Sequence, residues 1–456
     1  MKTQISSVLA ALLLLCFAFI GTIARAVSPA PDGGYPGGNT AEGQNTLLSL
    51  STGGFNTAVG FLSLRSNAVG QLNTGIGAGT LLANTSDSNT AIGAGALLSN
   101  TTGSQNVADG AFALFSNTTA SQNTATGFEA LFSNTEGHAN TANGFEALSS
   151  NTTAVANTAT GFQALAFNTT GSVNTATGSG ALTFNTTGSF NTADGEDALH
   201  DNMNGAENTA VGEEALLHNV DAVNNTAVGF QALTNNISGV ANTAVGFSAL
   251  INNTGDFNIA LGNNAGLQLT TGSANIDIGN GGVAGESNTT RIGSVQTKTF
   301  IAGIRGVTTI NNNAMPVLID SAGQLGTASS SRRFKTDIEH IDKASESILA
   351  LKPVSFRYKV HKDTAPQFGL IAEDVAEVNP NLVIYDADGK PYAVRYEAVN
   401  AMLLNEFLKA HRKMEEQQKE IDELRTQLKR QAAVIQRVTD RLEVRAATSL
   451  AVNSEP

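Results

Sequence analysis

A five-residue phrase, Asn-Thr-Ala-x-Gly or a close variant, returns along more than half of the chain at an almost fixed interval. Its lead asparagine falls at Asn39, Asn56, Asn73, Asn89, Asn106, Asn123, Asn140, Asn157, Asn174, Asn191, Asn208, Asn225, Asn242, Asn258 and Asn275. Almost every step is 17 residues, and two are 16. The full unit is Asn-Thr-Ala-x-Gly-Phe-x-Ala-Leu-x-x-Asn-Thr-Thr-Gly-x-x. Glycine follows the lead asparagine by four residues (Gly60, Gly127, Gly161, Gly246), leucine by eight (Leu64, Leu131, Leu165, Leu250) and a second asparagine by eleven (Asn67, Asn134, Asn168, Asn253). A fixed short period means stacked units, none of which can bury a core alone.

Seventeen residues with two turn signals predict one coil of two short strands. Glycine and asparagine mark the turns because both tolerate positive φ. Asparagine above asparagine in successive coils can bond amide to amide as a ladder, while alanine, leucine and phenylalanine supply the apolar stripe. Fifteen coils ~4.8 Å apart give a rod of about 70 Å. A helical unit is excluded, since Asn-Thr-Thr-Gly would break each helix. The phrase Asn-Thr-Ala-Val-Gly also resembles the head repeats of trimeric autotransporter adhesins, which form parallel β-rolls and are usually shorter. The Asn-Thr-Thr triplets match N-glycosylation sequons, but their constant phase points to a structural role.

Charge divides the chain. From Asn39 to Gly293 there are 17 acidic residues against Arg65 and Arg291. From Ser330 onward 20 acidic residues balance 20 basic ones, so the net −13 resides in the repeats. An acidic rod without lysine excludes nucleic acid, which requires cations to neutralise phosphate. No Walker-type loop occurs among the glycines, and no cofactor is expected. His138, His200 and His218 stand at different phases of the repeat and predict no ladder. Glu196-Asp197 and Glu213-Glu214 lie one unit apart, where like charges in register repel, so they read as solvated rim residues.

Met1 to Ala26 has the layout of a signal peptide: Lys2, an apolar run from Val8 to Ile20, and the small-x-small site Ala24-Arg25-Ala26. The run is too short for a stable membrane span. A lipoprotein anchor at Cys16 is disfavoured because Phe17 follows it. With the signal removed, no cysteine remains for disulfides or thiolate metal sites. The expected mature chain is secreted or surface-held, with no membrane segment and no metal. Residues 27–38 read as a flexible Pro/Gly-rich lead-in. Residues 294–329 read as a transition, with a strand over Lys298–Ile304 and a hairpin over Pro316–Gly326.

At the join stands Ala328-Ser329-Ser330-Ser331-Arg332-Arg333-Phe334-Lys335. A serine five residues before a lysine can cleave a peptide bond if the lysine is neutral and close enough to take the hydroxyl proton. Alone the pair is a weak signal. Downstream follow Leu351-Lys352-Pro353-Val354-Ser355-Phe356-Arg357-Tyr358, then Phe368-Gly369-Leu370-Ile371-Ala372-Glu373-Asp374-Val375, then Tyr392-Ala393-Val394-Arg395-Tyr396-Glu397-Ala398-Val399. This order of blocks, over about Ser329 to Leu428, resembles the intramolecular chaperone auto-processing domain, or S74 peptidase domain. That domain ends phage tail spikes such as endosialidases and recurs in bacterial surface proteins and myelin regulatory factor. The resemblance implies trimerisation, folding of the preceding fibre, and self-cleavage before the motif serine. Carried over by position, Ser330 is the nucleophile, Lys335 its base, and Ser329–Ser330 the bond cut. The family commonly has aspartate after the serine, where this chain has Ser331.

Asp337 can cap a helix running to about Leu351, and strands are expected over Val354–Val360, Gln367–Ala372 and Tyr392–Tyr396. The chain then turns heptad. Phe407, Met414, Ile421, Leu428, Ile435 and Leu442 take position a; Leu403, Ala410, Gln417, Leu424, Gln431 and Val438 take position d. Six heptads with charged flanks predict a coiled coil rather than one amphipathic helix packed on its own domain. The expected fold is therefore mainly β: a repetitive parallel β-roll or solenoid rod (39–293), a small α+β chaperone domain (330–400), a trimeric coiled coil (401–445) and a flexible tail (446–456). The expected partners are two further copies of the chain and a cell-surface glycan or receptor. Two alternatives stand beside this reading: a structural adhesin whose C-terminal module only trimerises, and a tail-spike-like protein that binds or cleaves glycan.

Overall fold

The computed structural model describes residues 35–304, 314–359 and 365–452, so Met1–Ala26, Cys16 and the start of the lead-in lie outside the described residues. The chain forms two compact units, divided between Phe300 and Ile301. The first is a solenoid with one parallel sheet of sixteen strands in sequence order, from Thr40–Glu42 to Thr290–Ile292. Each strand has three residues, and its partner lies one coil away, as in Thr124↔Thr141 and Ala125↔Ala142. The middle residue of each strand points inward, almost always as a fully buried alanine. With one strand per turn, every inter-strand bond also joins two coils.

The expectation of two strands per coil is corrected: there is one. The wall opposite the strand carries residues at positive φ, such as Glu129 (54°) and Leu131 (53°), which no β-strand accommodates. Its backbone is still bonded coil to coil. Gly127 and Glu129 N–H groups donate back to Asp109 and Ala111, while Leu131 and Ser133 donate forward to Ala147 and Ser149 at 2.8–3.1 Å. A non-glycine residue in this region costs about 1–2 kcal/mol, and satisfying both neighbours' backbone groups offsets it. The leucine side chains stack at the centre, with Leu64 through Leu250 fully buried.

The asparagine ladder forms as expected. Asn123 N–H donates to Asn106 Oδ1 at 3.0 Å, and its Nδ2 donates to Gly137 O at 2.9 Å. The second asparagine repeats the pattern, Asn134 Nδ2 reaching Asn117 Oδ1 at 3.0 Å and Gly137 O at 2.9 Å. Both columns are buried, so the sequon asparagines Asn151, Asn168 and Asn185 are interior struts. Glycine is required four residues after the lead asparagine: Gly127 has φ +127°, and a Cβ there would meet Gly144 O at 2.3 Å.

One coil shows how tight the interior is. Where the usual alanines become Ser63 and Thr80, the inward strand residue becomes Gly75, whose Cβ would lie 2.6 Å from Ser63 Oγ. Ser63 Oγ and Thr80 Oγ1 sit 2.8 Å apart, and Ser63 donates to Gly75 O. Added volume on one wall is taken from the other.

At the start, Tyr35 already bridges to Asn39 and packs on the core, so 35–38 belong to the first coil rather than to a loose lead-in. At the other end Lys298–Ile304 form no strand and have no strand partner among the described residues, and Phe300 is 90 % exposed. The hairpin is present as Leu318–Ile319 against Leu325–Gly326.

The second unit is small. A 3-10 helix runs over Asp342–Ala350, beginning later than Asp337, which has φ +50° and starts no helix. Strand Val354–Phe356 pairs with Gln367–Gly369, and Val383–Tyr385 pairs with Pro391–Val394 around the Asp386–Gly389 turn. Between the two pairs, Ala372–Val378 is an α-helix where the expected strand ended at Ala372. Ile348, Val375, Leu382, Val383 and Met402 form the core. A single α-helix, Tyr396–Val452, closes the described chain, so the residues read as a flexible tail are helical as far as Val452.

Candidate functional site

Ser330 and Lys335 flank one short turn. Arg332–Phe334 make a single 3-10 turn, with Ser331 entering and Lys335 leaving in extended conformation. Phe334 N–H donates to Ser331 O and Lys335 N–H to Arg332 O, each at 3.1 Å. Ser331 N–H reaches Ser329 Oγ at 3.3 Å, and the Arg333 guanidinium lies 4.7 Å from the Phe334 ring centre. The whole segment is exposed. No hydrogen bond joins Ser330 Oγ to Lys335 Nζ in the single chain.

A second serine and lysine do meet. Ser345 is fully buried on the 3-10 helix, and its Oγ lies 2.5 Å from Glu406 Oε1, 2.8 Å from Asn405 Nδ2 and 3.3 Å from Lys409 Nζ. The hydrogen bond from Lys409 holds Glu406 below the usual carboxylate range, and the same bond pushes the lysine up. An ammonium held charged cannot take a proton, so this cluster fastens the 3-10 helix to the long helix. No local motif marks it, because Ser345 and Glu406 stand 61 residues apart.

In the solenoid, Asp201 gathers the two histidines that the sequence reading separated. His200 Nδ1 lies 2.7 Å from Oδ1 and His218 Nδ1 lies 2.6 Å from Oδ2. Glu214 is not left to repel its neighbours, since Gln231 Nε2 donates to its Oε2 at 2.7 Å. Among the described residues no group of three His, Cys, Asp or Glu side chains could hold a metal ion. No helix among them is long and apolar enough to cross a membrane.

Residues 330–384 match the family model of peptidase S74, described as chaperone of endosialidase. The match begins at Ser330 and covers the turn, the 3-10 helix, both antiparallel strands of the first pair and the short α-helix. The chain is thus a β-solenoid followed by a segment that matches the peptidase S74 model, an arrangement that fits a tail-spike-like or fibre protein. No curated protein matches the chain.

Proposed function

We propose that this chain is a secreted or surface-displayed fibre subunit that assembles as a trimer and then cuts itself at Ser329–Ser330. The observation that carries the reading is the family match starting at Ser330, directly after the solenoid and its transition. Ser330 Oγ attacks the carbonyl carbon of Ser329 while Lys335 takes the hydroxyl proton. The Ser329–Ser330 C–N bond then breaks as the Ser330 nitrogen receives that proton, and water hydrolyses the resulting ester to free the two fragments. The chaperone segment and the long helix bring three chains together, and cleavage separates them from the finished rod. Apolar heptad residues exposed on the helix support association, among them Phe407 (60 %), Leu424 (54 %) and Leu428 (69 %). Met1–Ala26 directs export, and the rod presents its surface to a glycan or receptor. Mass spectrometry of the purified full chain tests cleavage: two fragments support it, and one intact mass refutes it. Sedimentation of the same sample reads the number of chains.

A second reading, a structural adhesin whose C-terminal segment assembles chains without cutting, is favoured by one observation. Ser330 and Lys335 are exposed, and no hydrogen bond joins them in the single chain. It predicts the single intact mass.

A further inference from the structure

The outward face of the solenoid sheet changes character towards its last strands. Along the middle coils, the residue after the inward alanine is Asp109, Thr126, Asn143, Thr160, Thr177 and Asp194. From the eleventh strand onward the same column reads Val211, Val228, Val245, Leu261, Ile278 and Ile292. The column before the inward residue changes as well, from threonine to Ile259 and Ile276. These side chains pair in register: Ile259↔Ile276, Leu261↔Ile278 and Ile278↔Ile292. They are not core. Ile259, Leu261, Ile278 and Ile292 are 43, 48, 37 and 72 % exposed. The first coils also hold an aliphatic column, Val59, Ile76 and Ile92, but it stands beside Thr57, Thr74 and Thr90 and so stays one residue wide.

A contiguous aliphatic face exposed on a sheet needs an occupant, and charge selects it. The repeats hold 17 acidic and two basic residues, so two copies repel over most of their surface. The face formed by the last strands is free of that repulsion. Asp277 points inward and is 1 % exposed, while Arg291 is held by Glu286 at 2.8 Å. A basic partner would gain more from the acidic middle coils, where Asp109 and Asp194 face outward. An uncharged, self-similar face suits its own copy, and the same chain carries a second apolar seam along its long helix.

We infer that Ile259, Leu261, Ile276, Ile278 and Ile292 form the contact between rods of neighbouring copies, packed parallel and in register, while the middle coils stay apart. This rests on the assembly reading above and adds where the rods meet. In such packing each residue lies against its own counterpart, so Ile278 faces Ile278.

Cysteine cross-linking of the full chain tests it. In a Cys16→Ser, Ser330→Ala background, Ile278→Cys, Leu261→Cys, Asn143→Cys and Leu424→Cys are made singly and mildly oxidised. A disulfide closes only when Cα atoms come within about 7 Å, so Ile278→Cys and Leu261→Cys should each give on the order of tenfold more covalent dimer than Asn143→Cys. Asn143 occupies the Ile278 column in the middle of the rod and is exposed, which makes it the control for collision. Leu424→Cys reports assembly through the helix. Cross-linking at Leu424 without excess at Ile278 or Leu261 overturns the rod contact and leaves the assembly reading standing. Cross-linking at the rod positions alone keeps the contact and removes the helix from the assembly. Equal cross-linking at Asn143 and Ile278 overturns the confinement to the last coils, and no cross-linking anywhere overturns both.

Discussion

His218 Nδ1 lies 2.6 Å from Asp201 Oδ2, although 17 residues separate them in the chain. Seventeen residues is one coil, so the two occupy the same place in consecutive turns and meet as cross-strand neighbours do in a sheet. His200 closes on the other carboxylate oxygen at 2.7 Å, and its ring stands edge-on to Phe184, 4.9 Å between centres. In a solenoid the separation that matters is phase, not sequence distance.

Burial pushes the Asp201 carboxyl up, but the hydrogen bonds from His218 and His200 outweigh it and hold the group below the usual range. A lowered folded value stabilises above the ordinary carboxylate value near 3.9, and the contribution disappears as pH falls through the folded value. Asp201→Ala should therefore melt below wild type at pH 5 and together with it at pH 2. The gap should stay under about 1 kcal/mol because the pair is at the surface. A gap that widens on acidification would refute the assignment.

Asp277 behaves in the opposite sense. It takes the place where nearly every other coil has alanine, and neither oxygen has a protein hydrogen-bond partner. Burial and Glu286 push its carboxyl up to about 6, against the pull of Arg291. The folded chain keeps a proton that the unfolded chain releases above the ordinary value. Stability therefore falls as pH rises from about 4 to 6 and stays low above that, by up to roughly 3 kcal/mol. Asp277→Ala should raise the melting temperature at pH 8, and the advantage should shrink at pH 4. An alanine variant that melts lower than wild type at pH 8 would show that the carboxylate is held by its surroundings.

The period, the asparagine ladder and the hairpin over Leu318–Gly326 were legible because each is written locally or by repetition. The second wall was not. A leucine at φ +53° has no sequence signature, since leucine ordinarily avoids that region, and only coil-to-coil hydrogen bonds hold Leu131 there. Ala372–Val378 and Val383–Tyr385 are each too short to show a period. The Lys298–Ile304 run has the composition of a strand but pairs with no strand among the described residues. At the candidate site the sequence marked Ser330 and Lys335 by spacing, whereas the Ser345 cluster depends on two elements meeting.

The two 16-residue steps show where a coil can shorten. In both, the interval from lead to second asparagine remains 11, and the residue is missing from the corner that follows. The strut moves with it: Asn84 Nδ2 donates to Ser86 O and Asn253 Nδ2 to Gly255 O, where Asn134 reaches the third residue on, Gly137 O. Deleting Glu136 turns Asn-Thr-Glu-Gly into the Asn-Thr-Gly of the short coil at Asn253, and should change the melting temperature little. Removing the whole unit Asn123–Ala139 should be equally tolerated, because neighbours restack in phase. Deleting Ala130 alone should cost several kcal/mol by moving Leu131 out of the central column. Equal melting of the Glu136 and Ala130 deletions would contradict the phase argument, and circular dichroism on heating reads it.

Cleavage gives the last prediction. Wild type should yield a C-terminal fragment that begins at Ser330 and runs 127 residues to Pro456. Ser330→Ala should leave a full-length chain that assembles as before, because one hydroxyl contributes nothing to the heptad face. Lys335→Ala should also stay intact, since an unactivated serine is a poor nucleophile near neutral pH. Lys335→Arg separates base from anchor. Arginine keeps the length and charge but stays protonated, so it cannot accept the serine proton. If the lysine only fixes the turn by its charge, the arginine variant cuts at the wild-type rate, and the dyad is wrong. A fragment beginning at Ser331 would move the nucleophile by one place and break its five-residue step to Lys335. No hydrogen bond joins Ser330 and Lys335 in the single chain, so dilution supplies a further arm. If assembly brings them together, cleavage should slow as chain concentration falls. A rate that does not change with dilution would place the whole reaction within one chain.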